Sequence, residues 1–202
     1  MRALPVWLCC VIGLAGCGRR MGDGALPPPL PRYDYWLQRV RTRSPPPSAP
    51  EVMPRLCGIF AAEGVPPELA WMAELESGLD PAAGGFFGHR GLFQLSRAEA
   101  RSLGLGTFLP DQRLDPERSA HAVARRLRFL EIKFGSWPLA LAAYNAGEGR
   151  VDRAIAAAHT HYFGIVVGGL PSSTRRYVPE VLALVAVRTG VAPEKLPPPP
   201  HP

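Results

Sequence analysis

The distribution of proline constrains the fold of this chain more than any other feature of its sequence. Of 24 prolines in 202 residues, eight lie between Pro27 and Pro50 and five lie in the last six residues. Proline lacks a backbone N–H and has a fixed φ, so such clusters favour extended chain over helix or sheet. Only nine prolines lie between Glu51 and Gly190. The sequence therefore predicts one folded domain over residues 51–190, a Pro-rich tether over residues 17–50 and a Pro-rich tail over residues 191–202.

Apolar residues of the central segment recur with the period of a helix. The clearest set is spaced by four, three and four residues: Val123, Leu127, Leu130 and Phe134. Asp115-Pro116 precedes this set as a helix start and Gly135 follows it as a stop, while Ser96 and Glu99 have the spacing of a capping box. Strand signals are few, since the one strand-like run, residues 165–167, is too short for a sheet. The predicted fold class is all-α, in a single compact domain.

The tether itself contains one amphipathic pattern. Its apolar positions follow the i, i+3, i+4, i+7 rule and are Tyr33, Trp36, Leu37 and Val40. This pattern predicts a short helix near residues 33–41, which we expect to dock on the domain; a partner contact is the alternative.

Residues 1–16 have the features of an export signal. Arg2 precedes an apolar stretch, and Leu14-Ala15-Gly16-Cys17 resembles the bacterial lipobox, in which the cysteine receives a lipid. We predict a lipoprotein signal peptide with lipidation at Cys17; the alternative is an ordinary secretory signal. Because Gly18 stands where an Asp would favour inner-membrane retention, we expect attachment to the outer membrane, facing the periplasm.

Charge and apolar runs exclude two other classes of protein. The net charge of +6 is spread along the chain without a block of like charge, so a nucleic-acid partner is not expected. No run of 18 or more apolar residues occurs, so the lipid anchor is the only membrane contact that the sequence predicts.

Glu76 departs from the helical pattern because it follows Leu69 by seven residues and Met72 by four, on the stripe that should be buried. Burial disfavours the charged form of a carboxyl, so its pKa should rise and it can act as a general acid near neutral pH. The alternative is a structural Glu that pairs with an Arg or a helix N-terminus. The neighbouring Glu74 and Glu63 are expected to face solvent.

Three sequence motifs begin at or follow this glutamate. They are Glu76-Ser77-Gly78-Leu79-Asp80-Pro81, then Gly91-Leu92-Phe93-Gln94, which places a Gly and a Gln 15 and 18 residues after the Glu, and Ala143-Tyr144-Asn145-Ala146-Gly147, with Tyr177 beyond them. Together they resemble the lytic transglycosylases of the Slt/MltD type, relatives of goose-type lysozyme that cleave peptidoglycan. The resemblance covers roughly residues 64–187. It implies a lysozyme-like helical domain with a groove, and peptidoglycan glycan strands as the partner.

The resemblance also implies roles for individual residues. Glu76 would be the catalytic acid and then base, supported by Ser77. The other implied substrate-binding residues are Phe93 and Gln94 in the sugar groove, Tyr144 with its hydroxyl near the reacting carboxyl, Asn145 beside it, and Tyr177 in the wall. Each has a structural alternative: Phe93 and Tyr177 as core aromatics, Asn145 as a helix-end residue, and Gln94 as a hydrogen-bond donor to a loop.

Two positions depart from the family pattern. Gly85 stands where members usually carry a Ser, and Ser173 stands where they usually carry a Glu. Glu99 replaces a usual Thr and is expected to cap a helix instead.

The family chemistry needs only one carboxyl. It cleaves the β-1,4 bond between N-acetylmuramic acid and N-acetylglucosamine and leaves a 1,6-anhydromuramic product. No metal or organic cofactor is implied. Two alternatives stay open: a lysozyme-like hydrolase of the same bond and a non-catalytic peptidoglycan-binding lipoprotein.

Overall fold

The computed structural model describes residues 29–200, so the predicted signal peptide and Cys17 lie outside the described residues. Within this range the chain is helical, with isolated β-bridges in place of strands. The prediction of an all-α fold is confirmed. The α-helices are α1 Tyr33–Arg41, α2 Ala49–Ala62, α3 Met72–Ser77, α4 Arg97–Ser102, α5 Pro116–Phe134, α6 Trp137–Ala146, α7 Glu148–Ala158, α8 Phe163–Val166 and α9 Ser172–Thr189.

Local sequence signals set several helix starts. The side chain of Asp115 accepts hydrogen bonds from the N–H groups of Glu117 and Arg118 at the start of α5. The predicted capping box is present at α4, where Ser96 and Glu99 each accept the other's backbone N–H. These caps satisfy backbone donors that the first turn of a helix leaves without a partner.

Helix α6 forms the centre of the core. Seven of its ten residues are buried, which is the pattern of a helix surrounded by others. It packs against α5, α7 and α9, and α2 packs against α5 on the outside of this group. Helix α9 continues through Pro179, which lies inside the helix and not at its start. Among the helices of residues 29–200, none is both long and apolar enough to cross a membrane.

The predicted short helix is present as α1, and it packs along α9. Trp36 and Val40 are buried in this contact. After α1, the backbone carbonyl of Arg43 accepts a hydrogen bond from Arg188 of α9, and the Arg43 guanidinium pairs with Glu180 at 3.2 Å. The second proline cluster forms the link to α2, which begins at Ala49. The described part of the predicted tether is therefore held against the domain.

The C-terminal Pro-rich segment also lies on the domain surface. Leu196 is buried, and the indole N–H of Trp137 donates a hydrogen bond of 2.8 Å to the carbonyl of Pro197. A guanidinium N–H of Arg128 reaches the carbonyl of Pro200 at 3.3 Å. Up to Pro200, the segment is held by contacts with α5 and with the start of α6.

Candidate active site

Glu76 lies in the last turn of α3. A 3₁₀ turn over Pro67–Trp71 leads into this helix, and Gly78 ends it with a left-handed backbone, φ 64°. The helix therefore ends three residues before Asp80-Pro81, because the glycine after Ser77 already takes the conformation that closes a helix. The early stop places the half-buried Glu76 side chain at the end of a short helix in which Met72 and Ala73 are buried.

The Glu76 carboxyl is held by a tyrosine from the far end of the chain. Tyr177 of α9 donates a hydrogen bond of 2.6 Å to Oε1 of Glu76. Burial raises the pKa of Glu76 to about 7; the Tyr177 hydrogen bond opposes the rise, the charge of Glu99 adds to it and His89 again opposes it. The group is thus protonated in part of the molecules at neutral pH, as a general acid requires.

Tyr144 has a different partner. Its hydroxyl donates a hydrogen bond of 3.2 Å to the carbonyl of Phe93. Burial raises its pKa well above the usual value, and the charge of Glu76 raises it further. Tyr144 and Glu76 line the same cavity. The hydrogen bond to the carboxyl, however, comes from Tyr177, for which the resemblance implies a place in the wall.

The Gly91–Gln94 segment is tied directly to the end of α3. The Ser77 hydroxyl bridges the carbonyls of Ala73 at 3.1 Å and Leu92 at 2.9 Å. A Cβ at Gly91 would lie 1.8 Å from the carbonyl oxygen of Arg113, so only glycine allows this close approach. These contacts fix the segment beside Glu76.

Phe93 borders the cavity that contains Glu76, but its ring is packed in the core. Only 1% of the residue is exposed, and the ring stacks on Phe60 at a centroid distance of 6.0 Å. Because a buried ring cannot touch a sugar, the contribution of Phe93 is its backbone carbonyl, which holds Tyr144. The core alternative is the one the geometry supports.

Gln94 and Gly85 form an interdependent pair. Gln94 has a left-handed backbone, φ 46°, and its side-chain amide donates to the carbonyl of Gly91 at 2.9 Å. A Cβ at position 85 would lie 2.0 Å from Oε1 of Gln94. The absent side chain at Gly85 therefore leaves the space that the Gln94 amide occupies.

Asn145 is oriented by the segment that contains Ser173, the second position that departs from the family pattern. Its Oδ1 accepts a hydrogen bond of 2.8 Å from the hydroxyl of Thr174, a fully buried residue of α9. The neighbouring Ser173 is exposed. Thr174, and not the neighbouring Ser173, therefore positions Asn145.

Glu76 and several of the residues around it border one cavity of about 350 Å³. It is lined by Glu76, Phe86, Phe87, His89, Phe93, Gln94, Glu99, Tyr144 and Asn145. A second cavity of about 280 Å³ shares Glu99, Tyr144 and Asn145 and continues toward Arg126 and Arg150. We refer to the two together as the groove. Tyr177 contacts the groove indirectly, through the hydrogen bond from its hydroxyl to Glu76.

Arg113 is a residue of the site that sequence reasoning missed. It is 1% exposed and donates to both oxygens of Asp111, at 2.9 and 2.7 Å. It also donates to the carbonyls of Gly88 at 2.8 Å and Leu95 at 3.1 Å. The signal available in the sequence was weak, because two of its partners are backbone carbonyls. This one side chain fixes the loop that borders the groove.

The remaining acidic residues near α3 have structural partners. Glu74 was expected to face solvent, but its side chain is 10% exposed and Arg188 holds both oxygens, at 2.6 and 2.8 Å. Glu63 is also largely covered and pairs with His121 and Arg125. Both expectations of solvent exposure were wrong, because helix periodicity does not show where a cationic partner from another helix arrives.

Glu99 is the other carboxyl that lines the groove. Its Oε2 accepts the backbone N–H of Ser96 at 2.9 Å, so the capping role predicted for it is present. The residue remains exposed, and its charge acts on both Glu76 and Tyr144. In residues 29–200, no three His, Cys, Asp or Glu side chains are grouped as a metal ion would require.

Comparison with known proteins assigns the domain. The family described as Transglycosylase SLT domain matches residues 61–163, just over half of the chain. The chain belongs to this family. The match to the SLT domain includes Glu76, the Gly91–Gln94 segment and Asn145, and it ends before α9 and Tyr177.

Individual relatives of the SLT domain agree with this assignment. The chain is 34% identical over 136 residues to membrane-bound lytic murein transglycosylase D of Escherichia coli K12, which covers 64% of the chain and 29% of that relative. It therefore spans less than a third of the length of this curated relative.

Solved structures show the same fold. The soluble lytic transglycosylase of Escherichia coli superposes with a TM-score of 0.63 at 24% identity, covering 82% of the chain and 30% of that structure. An inactive mutant of lytic transglycosylase Slt from Pseudomonas aeruginosa gives a TM-score of 0.60 at 23% identity, covering 76% of the chain and 26% of that structure. The lysozyme-like helical fold predicted from the sequence is confirmed.

Proposed function

We propose that this protein is a peptidoglycan lytic transglycosylase that cleaves the β-1,4 bond between N-acetylmuramic acid and N-acetylglucosamine. The observation that carries the proposal is the Glu76 carboxyl, with its pKa raised to about 7, at the edge of a groove and hydrogen-bonded to Tyr177. Membership of the SLT family and the names of the lytic transglycosylases that it matches support the same activity.

The first step uses Glu76 as an acid. Its proton passes to the glycosidic oxygen while the bond from that oxygen to C1 of the muramic acid breaks. The carbonyl oxygen of the sugar's own N-acetyl group bonds to C1 and stabilises the positive charge. The N-acetylglucosamine side leaves with a free hydroxyl, and Glu76 is left as a carboxylate. The substrate thus supplies the group for which other glycosidases use a second carboxylate.

The second step uses the same carboxyl as a base. Glu76 takes the proton of the C6 hydroxyl, whose oxygen bonds to C1 and displaces the N-acetyl oxygen. The product is a 1,6-anhydro ring, Glu76 is protonated again, and no water is consumed. A carboxyl with a pKa near the working pH serves both steps.

The other contacts of the groove give the remaining residues positioning roles. Asn145 is oriented by Thr174, and Gln94 by the carbonyl of Gly91, so both amides are available to the substrate's polar groups. Ser77 holds the end of α3 against Leu92. Tyr144 borders the same cavity as Phe86 and Phe87.

Turnover of purified sacculi tests the proposal. The wild type should release soluble muropeptides, and Glu76→Gln should release almost none. Glu51→Gln, which removes an exposed carboxyl from the outer helix α2, is the matched control and should retain full activity. Equal release by wild type and Glu76→Gln would show that the catalytic assignment is wrong and would favour a glycan-binding protein without catalysis.

Glu99 favours a second candidate function, hydrolysis. It is a carboxyl in the same groove, and a base there can activate a water molecule in place of the C6 hydroxyl. Mass spectrometry of the released muropeptides separates the two outcomes, since the anhydro product is lighter by one water than the hydrolysis product. A reducing-end product that disappears in Glu99→Gln would establish the hydrolase.

We further propose attachment to the cell envelope through lipid at Cys17, on the outer membrane and facing the periplasm. The support is the Leu14-Ala15-Gly16-Cys17 sequence and Gly18 after it, together with the name of the membrane-bound relative. Metabolic labelling with a fatty-acid analogue should mark the wild type and not Cys17→Ala. Label on both proteins would exclude lipidation at this cysteine.

A further inference from the structure

Two phenylalanines project from the rim of the groove. Phe86 is 88% exposed and Phe87 is 99% exposed, so both rings face solvent almost completely. Both also line the cavity that contains Glu76. Adjacent, fully exposed aromatic rings at the edge of a cavity are typical of a surface that binds something.

The loop that carries these rings is held in place. The N–H of Gly85 donates to the carbonyl of His89 at 2.8 Å, and the N–H of His89 donates back to the carbonyl of Phe86 at 3.3 Å. The buried Arg113 donates to the carbonyl of Gly88 at 2.8 Å. The rings are therefore presented on a fixed turn.

The backbone of Phe87 is in an unfavourable conformation. Its φ of 57° and ψ of 26° lie in the left-handed region, where a bulky side chain costs free energy that glycine would not. The ring gains little from packing in return, since it is almost fully exposed. Strain of this kind is concentrated at sites of function.

We propose that Phe86 and Phe87 form an aromatic platform on which a sugar ring of the glycan strand stacks beside the cleaved bond. The proposal rests on the proposed function and adds a binding site to it. A pyranose ring presents one face of C–H groups, which the negative face of an aromatic ring attracts, and its hydroxyl and amide groups point outward from the ring edge.

The surroundings of the two rings match this pattern. Apart from Phe93, whose ring is packed in the core, the residues that share the cavity with them carry polar groups: His89, Gln94, Tyr144 and Asn145, besides the carboxyls. Nδ1 of His89 lies 2.7 Å from the carbonyl of Phe86, and because a carbonyl only accepts, this nitrogen carries the proton. An apolar platform with polar groups beside it is complementary to a sugar and not to a purely apolar ligand.

Phe108 offers an internal comparison. It is 82% exposed, on a loop of its own, and it lines neither cavity of the groove. Replacement of Phe108 removes an exposed ring of the same kind without touching the groove. It is the matched control for the platform.

Binding is measured on the inactive Glu76→Gln protein with soluble, uncrosslinked glycan strands of alternating N-acetylglucosamine and N-acetylmuramic acid. We expect the added double change Phe86→Ala and Phe87→Ala to raise the Kd about tenfold, the usual scale for losing an aromatic contact. Phe108→Ala should leave the Kd unchanged. In the active protein, the double change should raise KM for the strands and leave kcat within about twofold.

A second variant separates binding from folding. Phe87→Gly removes the ring and also relieves the left-handed backbone, so its Tm should equal or exceed that of the wild type while the Kd rises. A lower Tm with an unchanged Kd would show that the ring serves the fold and would overturn the platform.

Two further results would overturn it. One is an unchanged Kd for glycan strands in the double variant. The other is loss of binding to phosphatidylethanolamine vesicles in that variant while strand binding persists, which would make the rings a membrane contact. If the wild type releases no muropeptides, the proposed function fails, but the binding comparison on Glu76→Gln still decides the platform.

Discussion

The hydroxyl of Tyr177 donates a hydrogen bond of 2.6 Å to Oε1 of Glu76, across 101 positions of the sequence. The contact joins the last α-helix to the short helix that carries the acid. Because Tyr177 is itself buried on α9, the carboxyl is oriented by the packed core and not by a surface loop. The match to the SLT family ends at residue 163, so this partner of the acid comes from outside the matched residues.

Tyr177→Phe removes that hydrogen bond and little else. The bond stabilises the charged carboxylate, so its loss should raise the pKa of Glu76 further and leave the carboxyl less well oriented. We expect kcat to fall about tenfold or more and the alkaline limb of the pH profile to move to higher pH. Muropeptide release measured between pH 5 and pH 9 checks both. A profile identical to that of the wild type would show that the contact does not act on the acid.

Glu99→Gln should shift the profile the other way. The charge of Glu99 raises the pKa of Glu76, so its removal should lower that pKa and move the loss of activity to lower pH. Gln can still accept the Ser96 N–H, so the capping box is kept and the change is one of charge. Glu117→Gln on the exposed face of α5 is the control and should leave the profile in place. An unshifted limb in Glu99→Gln would contradict the electrostatic coupling.

Glu76 should also make stability depend on pH. Its pKa in the folded state, about 7, lies above the usual 4.5, so the folded protein binds the proton more tightly than the unfolded chain. Stability is then full below about pH 4.5 and is lost as the pH rises through 7. Relative to Glu76→Gln, the wild type should lose about 2 to 3 kcal/mol between pH 4 and pH 8. Urea unfolding at both pH values measures this, and a constant difference would contradict the raised pKa.

Gly85→Ser should impair the protein even though members of the family usually carry Ser there. A Cβ at position 85 would lie 2.0 Å from Oε1 of Gln94, so the amide must move. We expect a fall in kcat/KM of about tenfold, and no further fall when Gly85→Ser is added to Gln94→Ala, since coupled neighbours are not additive. Gly84→Ser is the control, because a Cβ there meets nothing within 4 Å. Additive effects of the two changes would exclude the coupling.

Arg113→Met should destabilise the fold strongly. The change leaves the Asp111 carboxyl without its main partner and two backbone carbonyls without a donor, at a cost of about 3 to 5 kcal/mol. Arg90→Met removes a guanidinium that is half exposed and 3.7 Å from Asp111, so it should cost less than about 1 kcal/mol. Chemical denaturation of the two variants makes the comparison. Similar losses in both would show that the buried network is not what holds the loop.

What the sequence could predict depended on the range of the interaction. Caps such as Asp115 at α5 are formed by residues two or three positions apart, so their pattern is visible in the chain. The resemblance implied a Tyr144 hydroxyl near the carboxyl and a place in the wall for Tyr177, but not the hydrogen bond from Tyr177 to Glu76. Motifs give positions along the chain, and they do not show which distant helix brings a side chain to the acid. Phe93 is a second example of a long-range contact that the sequence does not show. Its motif places it at the groove, but its ring stacks on Phe60 of α2 in the core.

The packing of α1 on α9 limits how far the domain can move from its proposed membrane anchor. Leu30 already packs on the core, and only thirteen residue steps separate it from Cys17. A chain of that length spans at most about 45 Å when fully extended. With lipid on Cys17, Leu30 would stay within that distance of the membrane and would hold the domain beside it. The domain could move farther out only if Trp36 and Val40 left their buried positions.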